Sequence, residues 1–445
     1  MGCGLKIILN VVKMVLFVCV LFIVSCLSVS AEGGSKYIEQ YIEESIKLRI
    51  EKINVYEFNC KEEEIFEVID RVMKTNPDFY YIGKSFYYSS DNRGIVKEIQ
   101  PVYKYSAQEI KDMKAYCDRE LEKILFYIDE NVSDFSVALT LHEYLCENFS
   151  YDQRFDNYTM YDLLSTGRGT CQAFMLTYME LLNRAGIENS YAYSNEILHI
   201  WNLVRLDGEW YHVDITWDNI ESGVSHKNFL LTDEEIIDSG HRGFVNANGV
   251  KCTSRKYSSS GFHNTPYKYV SLGDGFVYID NITRNVYFDK LDGSEKISLY
   301  RVSDLWQKAE GRYFANSFSY PLAAGSKVYF NTKNKIFEID ENLDVNLVEE
   351  LGFDIWKIAN YGAFVGCYTD KDLNDKTDVK IPRSMDADGD GEVTVLDIAL
   401  LSGYIENKSV GVYKYNVDAN GDCRLNTEDL EALASLLLVI DKSAV

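Results

Sequence analysis

Two twelve-residue stretches near the C-terminal end leave little freedom in how that end can fold. DADGDGEVTVLD occupies 386–397 and DANGDCRLNTED occupies 418–429, an interval of 32 residues. Oxygen-bearing side chains stand at positions 1, 3, 5 and 12 of each: Asp386, Asp388, Asp390 and Asp397, then Asp418, Asn420, Asp422 and Asp429. Carboxylates this dense repel one another unless a hard cation joins them, and this spacing is that of a twelve-residue calcium loop. Position 7 of such a loop contributes a backbone carbonyl, here from Glu392 and Arg424. The residues after each loop, Ile398–Tyr404 and Leu430–Val439, predict one helix per loop. Position 6 is Gly391 in the first copy and Cys423 in the second. A non-glycine residue is strained at positive φ, so the second loop is expected to bind more weakly.

Two loop–helix units about this far apart, with Asp in place of Glu at position 12, resemble a type I dockerin over roughly 383–442. The resemblance implies a calcium-folded module with two Ca²⁺ sites that binds a cohesin domain on a scaffoldin, as in a cellulosome. Members of the family commonly touch cohesin through loop positions 10 and 11. Here these are Val395-Leu396 and Thr427-Glu428, and the difference between the copies argues against a symmetric dual binding mode.

A second stretch carries residues suited to covalent chemistry. Gly167, Gly169 and Thr170 form a turn and cap ahead of Cys171, and Phe174, Tyr178, Leu181 and Leu182 then recur at helical spacing. Cys171 is thus placed at a helix N-terminus, where the dipole favours thiolate over thiol. HIWNLVRL and EWYHVDITW flank Asp207-Gly208, a two-residue hairpin signal. Pairing Leu206 with Glu209 and counting back sets His199 opposite Thr216 and Trp201 opposite Asp214. His199 and Asp214 are then diagonal neighbours on one face, about 7–8 Å apart at Cα, which their side chains can bridge. Nucleophile, base and orienting carboxylate are all present. His212 shares that face in the same register and is the competing base.

GRGTCQAF, HIWNLV and WYHVDITWD, in this order and spacing, resemble the transglutaminase-like superfamily of papain-like Cys-His-Asp enzymes. The resemblance runs from about Leu141 (LHEYLCENFSYD) to Asp218. It implies Cys171, His199 and Asp214 as the catalytic set and prefers His199 to His212. Gln172 and Ala173 depart from the acidic residue and glycine of many bacterial members, which bears on substrate fit. The activity implied is acyl transfer on a peptide or protein substrate. Hydrolysis by a cysteine peptidase or amidase is favoured. Crosslinking by a transglutaminase, or a dockerin-tethered module that binds without catalysis, are the alternatives.

Lys6 and Lys13 precede an apolar run from Met14 to Val24, too short to span a bilayer and suited to a signal peptide over 1–31. Val29-Ser30-Ala31 is a candidate cleavage site. Ile23-Val24-Ser25-Cys26 offers the alternative of a lipoprotein anchored at Cys26. No other segment is long and apolar enough to be transmembrane. The formal charge of −24 becomes −26 once residues 1–31, with two Lys and no acid, are removed. Such a chain repels nucleic acid. Seven Cys lie beyond Cys26, an odd number without paired spacing, so no disulfide framework is expected.

Between these features, 36–130 reads as an N-terminal α+β scaffold. Tyr37–Lys52 and Lys61–Lys74 are expected as helices, Phe79–Ile82 and Ile95–Tyr105 as strands, and Ser106-Ala-Gln-Glu as a capping box opening a helix to about Ile128. The catalytic domain is expected over 131–255, beginning with a helix over Ser133–Asn148. His142 on that helix, and His241 and His263 in Gly- and Ser-rich loops, are expected at the surface. A β-rich accessory region, 266–370, has Val277-Tyr278 and Val328-Tyr329 51 residues apart, suggesting two propeller-blade-like units or a small sandwich. Its aromatics make cell-wall polysaccharide a further candidate partner. Residues 371–385 read as a polar linker before the dockerin at 386–442. The whole is expected as a multidomain α+β chain: a papain-like/transglutaminase-like α+β core, a β-rich accessory region and a small α-helical calcium-binding dockerin. It is read as secreted and cellulosome-associated.

Overall fold

The computed structural model describes residues 31–126, 128, 132–220, 223–258, 261–264, 267–291, 293–314, 317–361, 364–380, 384–407 and 410–443. The expected leader up to Ser30, with Cys26, lies outside them. Among the described residues no helix is long and apolar enough to cross a membrane. The chain divides into two compact units, residues 1–117 with 158–165, and residues 118–157 with 166–445.

In the first unit, helices Ala31–Lys47 and Glu62–Thr75 pack together beside a three-stranded antiparallel sheet. The order of that sheet is Ile53–Asn54, Val96–Tyr103, Ile82–Ser90. Ile65, Val68, Ile69 and Val72 are buried, the face that helical spacing marks. Thr75 ends the second helix ahead of Asn76-Pro77. Phe79–Tyr81, expected as strand, instead forms a 3₁₀ turn that leads into Ile82–Ser90. The capping box forms as read: Glu109 N–H donates to Ser106 Oγ at 3.3 Å, and Ser106 N–H donates to Glu109 Oε2 at 2.7 Å.

The second unit is built on two helices, α1 (Asp134–Asn148) and α2 (Cys171–Arg184), packed on a five-stranded antiparallel sheet. Its strands are β1 (Asn189–Ser194), β2 (His199–Leu206), β3 (Glu209–Val213), β4 (Phe229–Leu231) and β5 (Phe244–Asn246), in the order β4-β3-β2-β1-β5. Ser133 caps α1 by accepting from Ser136 N–H. Most of α1 is buried, which is why apolar residues surround it rather than forming one stripe. Tyr178 donates to the Ala138 carbonyl at 2.9 Å and ties α2 to α1. Asn202 donates to the Met175 carbonyl at 3.0 Å and ties α2 to β2. Asp207 and Gly208 both take positive φ, as a type I′ turn requires, and pair Leu206 with Glu209 as expected.

Farther along, three consecutive antiparallel meanders follow. The first comprises Tyr269–Leu272, Gly275–Asp280, Asn285–Lys290 and Lys296–Arg301; the second comprises Pro321–Ala324, Lys327–Asn331, Lys335–Ile339 and Val345–Glu350. Val277-Tyr278 and Val328-Tyr329 lie on the second strand of their respective sheets. Val277, Ile279, Val286 and Phe288 pack against Val328, Phe330 and Ile339, so the blade-like sheets bury a shared core. The third meander is Lys357–Tyr361, Phe364–Tyr368 and Lys376–Lys380, and its last strand falls within the stretch read as a linker. The C-terminal loops lead into helices Val395–Asn407 and Thr427–Ser443, each starting inside its loop and so earlier than apolar spacing suggests.

Candidate functional site

Cys171 is the first residue of α2, partly exposed, with Thr170 as an extended N-cap. Gly167 takes φ +72, a left-handed turn that a side chain would strain, and Thr170 N–H is anchored to the Asn157 carbonyl at 2.8 Å. The start of α2 is thereby held while the thiol stays accessible.

His199 opens β2, and its Nε2 lies 2.7 Å from Asp214 Oδ2. The Cys171 thiol interacts electrostatically with this imidazole and favours its charged form. The hairpin register holds as far as Asn202–Val213, then breaks. Asp214 leaves the strand to cap a short helix, Ile215–Asp218, so the expected His199–Thr216 strand pairing is replaced by a side-chain approach of 3.4 Å. Asp214 Oδ1 accepts from Thr216 N–H at 3.0 Å, Thr216 Oγ1 at 2.7 Å and Trp217 N–H at 3.3 Å. Trp201 and Trp217 both stack with the His199 ring, each at 5.6 Å between centroids.

Charge follows from this geometry. Burial disfavours the imidazolium of His199, but the Asp214 carboxylate outweighs it, with Cys171 adding, and the group is raised well above the ordinary histidine range. Burial works against ionised Asp214 too, yet His199 and His241 hold it well below the carboxylate range. The pair is therefore a buried imidazolium–carboxylate.

His241 was expected at the surface, but it is fully buried. Its Nε2 lies 2.8 Å from Asp214 Oδ2, the same oxygen that meets His199, and its Nδ1 lies 3.0 Å from Ser239 Oγ. Gly240, at φ +113, leaves room for the Trp217 ring, which packs on His241 at 4.0 Å. The neighbouring Gly and Ser read as loop signals; nothing in their spacing shows that the loop folds inward. Tyr151 is a second residue that pattern reading missed. Burial first, then the Cys171 side chain, push its phenol up to about 12.

His212, the competing base, is fully engaged elsewhere. Trp201 Nε1 donates to its Nδ1 at 2.9 Å, and its Nε2 faces Asp233 Oδ1 at 2.8 Å. His142, also expected at the surface, is buried with Nε2 3.1 Å from Asp218 Oδ2. Burial and then His226 lower it to about 3, while burial raises Asp218 to about 8, so this contact is a neutral hydrogen bond rather than an ion pair. His263 is partly buried against the Phe229 carbonyl at 2.8 Å.

The two acidic loops fold alike. Asp386 accepts from Gly389 and Gly391 N–H, and Asp418 from Gly421, Asp422 and Cys423 N–H. Asp397 and Asp429 each reach back to the start of their loop, to Ala387 and Ala419 N–H at 2.6 and 2.8 Å. Carboxylate oxygens of Asp386, Asp388 and Asp390 lie within 4.8 Å of one another. Burial, with the neighbouring Asp397 and Asp388, raises Asp386 above the ordinary carboxylate range. Convergent hard oxygens in mutual repulsion are a donor set that fits Ca²⁺. Cys423 has φ +59, the left-handed conformation expected for that position.

A thiol-bearing α+β domain followed by a paired acidic-loop module is the class that this fold defines. In family terms residues 127–215 match the transglutaminase-like superfamily and residues 384–438 match the type I dockerin domain. No curated protein matches it. Among solved structures it is similar to a TGase at 12% identity, covering 31% of this chain and 46% of that one, with a TM-score of 0.22. A protein from Cytophaga hutchinsonii, provisionally described as a cysteine protease, matches at 14% identity, covering 40% and 69% with a TM-score of 0.21. A provisionally described protease from Parabacteroides distasonis matches at 14% identity, covering 29% and 35% with a TM-score of 0.17. The chain thus spans less than half of the first of these structures.

Proposed function

We infer that this protein is an exported, dockerin-bearing thiol enzyme that performs acyl transfer on peptide or amide substrates, with hydrolysis as its main outcome. The observation that carries the reading is the His199–Asp214 contact of 2.7 Å, made by an imidazole that interacts electrostatically with a thiol at a helix start. In this scheme the Cys171 thiolate attacks an amide carbonyl carbon, and the carbonyl π electrons move onto oxygen. His199 as imidazolium gives its proton to the leaving nitrogen as the C–N bond breaks, which leaves a thioester on Cys171 and an amine. Water then attacks the thioester, His199 takes its proton, and the carboxylic acid departs as the thiolate is restored. Asp214 keeps the imidazole oriented and stabilises its charge. In this scheme the Cys171 N–H, at the start of α2, supplies one donor to the oxyanion.

Asp386, Asp388, Asp390, Asp397 and the Glu392 carbonyl would hold one Ca²⁺; Asp418, Asn420, Asp422, Asp429 and the Arg424 carbonyl would hold the other. The ion supplies charge neutralisation that lets each loop close. Attachment to a cohesin on a scaffoldin outside the cell would then place the enzyme in a polysaccharide-degrading assembly. Incubating wild type and Cys171→Ala with a mixed peptide library, with mass spectrometry of the products, tests the catalytic part. New peptide termini formed by wild type alone support hydrolysis. Crosslinked or amine-bearing products in their place would assign the transglutaminase outcome, and no product from either protein would contradict catalysis.

A further inference from the structure

In the acyl-transfer scheme His199 protonates the leaving nitrogen, so whatever stands beside this imidazole meets the amine side of the substrate. The His199 side chain itself is only 8% exposed. Two indole rings stack with it, and solvent reaches them unequally: Trp201 is 1% exposed and Trp217 is 40% exposed. Trp217 is also firmly seated. Its N–H donates to Asp214 Oδ1, its ring packs on His241, and a Cβ at Gly240 would come within 3.3 Å of that ring. A side chain already held in place loses little freedom when a ligand covers it, which favours its use in binding.

Leu198 directly precedes His199 and is 85% exposed; among the described residues no large apolar side chain is more exposed. It ends the turn at 195–198 between β1 and β2, where polar residues and glycine are the ordinary choice. Its φ is +51, in the left-handed region that suits glycine and asparagine and strains leucine. Isolated exposed leucines are common and need no explanation. This one adds nothing to the core and carries a backbone cost, at the residue bonded to the base. Local strain of that kind concentrates at functional sites.

The amine side of the reacting bond is therefore bordered by one strained, exposed leucine and one fixed, half-exposed indole. Resting on the acyl-transfer reading, we propose that Leu198 and Trp217 form the subsite for the amine side of the substrate and select a leaving residue with a large apolar side chain, such as leucine or phenylalanine. The same subsite receives the incoming amine where an amine replaces water. A substrate side chain laid on these two residues removes apolar surface from water on both partners, which is worth roughly tenfold in kcat/KM.

Competition within an equimolar peptide library, with the full chain in calcium and the products read by mass spectrometry, tests this. Leucinamide and glycinamide are added as alternative amines. Bonds followed by Leu, Ile, Met or Phe are expected to be cleaved about tenfold faster than bonds followed by Gly or Ser. Leu198→Asn, which suits a left-handed backbone, is expected to lower that ratio about fivefold. Circular dichroism checks that it folds, and Leu198→Gly replaces it if it does not. Where joined products form instead, the same ratio is read from leucinamide against glycinamide. Products without an apolar preference, a preference for a charged residue, or an apolar preference that Leu198→Asn leaves intact would each overturn the proposal while the acyl-transfer reading stands. No product from wild type with any peptide or amine, as from Cys171→Ala, would overturn both.

Discussion

One oxygen of Asp214 meets two imidazoles, His199 at 2.7 Å and His241 at 2.8 Å. Asp214 is depressed, so its contribution to stability is present above the unfolded carboxylate value and is lost as pH falls through the folded one. His199 is raised, so its contribution is complete below the unfolded histidine value and is lost as pH rises through the folded one. Both are at full strength between about pH 4 and 6.5. His241→Leu removes one of the two donors and is predicted to slow alkylation of Cys171 at pH 6 by roughly tenfold, with His241→Gln recovering most of the rate. Equal rates in wild type and His241→Leu would deny His241 a positioning role. Asp218 behaves in the opposite sense to Asp214. Raised to about 8 by burial, it supports the fold at low pH, and that support is lost as pH climbs through this value. Asp218→Asn keeps an oxygen for Asn228 and offers an N–H to His142. From pH 6 to 9 its melting temperature is predicted to fall less than that of wild type, by roughly several degrees; parallel melting curves would contradict the neutral pair. At this scale the placement of Cys171 at a helix start and the approach of His199 to Asp214 were legible, because each residue sits beside a turn or period signal. The buried positions of His142 and His241 were not, because local sequence does not say which loop or helix face is covered from elsewhere.

Among elements, the hairpin shows how far local rules reach. Asp207-Gly208 dictates the turn, and the alternating pattern carries the register as far as Val213. Asp214 then caps a helix instead, because its carboxylate satisfies N–H groups that a continued strand would pair otherwise. The paired loops were legible almost residue by residue, since ligand spacing and backbone turns are both local. Their asymmetry is testable. Cys423 holds φ +59 where Gly391 holds φ +89. Cys423→Gly is predicted to relieve about 1 kcal/mol of backbone strain and to tighten calcium binding at the second loop, as read by chelator competition on the full chain. Unchanged affinity would mean that the loop tolerates the strain without cost.

For the molecule as a whole, sequence reading separates modules that the structure joins. Tyr415, on the short helix Lys414–Val417 between the two acidic loops, is 4% exposed. It packs with Ile358, Val365 and Cys367 of the third meander and with Ile355 just ahead of it. Such long-range packing leaves no periodic trace. Chelating calcium should therefore loosen more than the loops. Faster amide hydrogen exchange is predicted in strands Lys357–Tyr361 and Phe364–Tyr368, and Tyr415→Ala should destabilise that core by about 3–5 kcal/mol. Exchange in those strands that ignores calcium would contradict this coupling. The central claim, a thiol activated by the His199–Asp214 pair, is tested most directly by iodoacetamide alkylation of each cysteine against pH, followed by mass spectrometry on wild type and His199→Ala. The predicted result is fast reaction of Cys171 below pH 7 that is abolished by the substitution. Reaction of Cys171 no faster than that of Cys60 or Cys252 would contradict it.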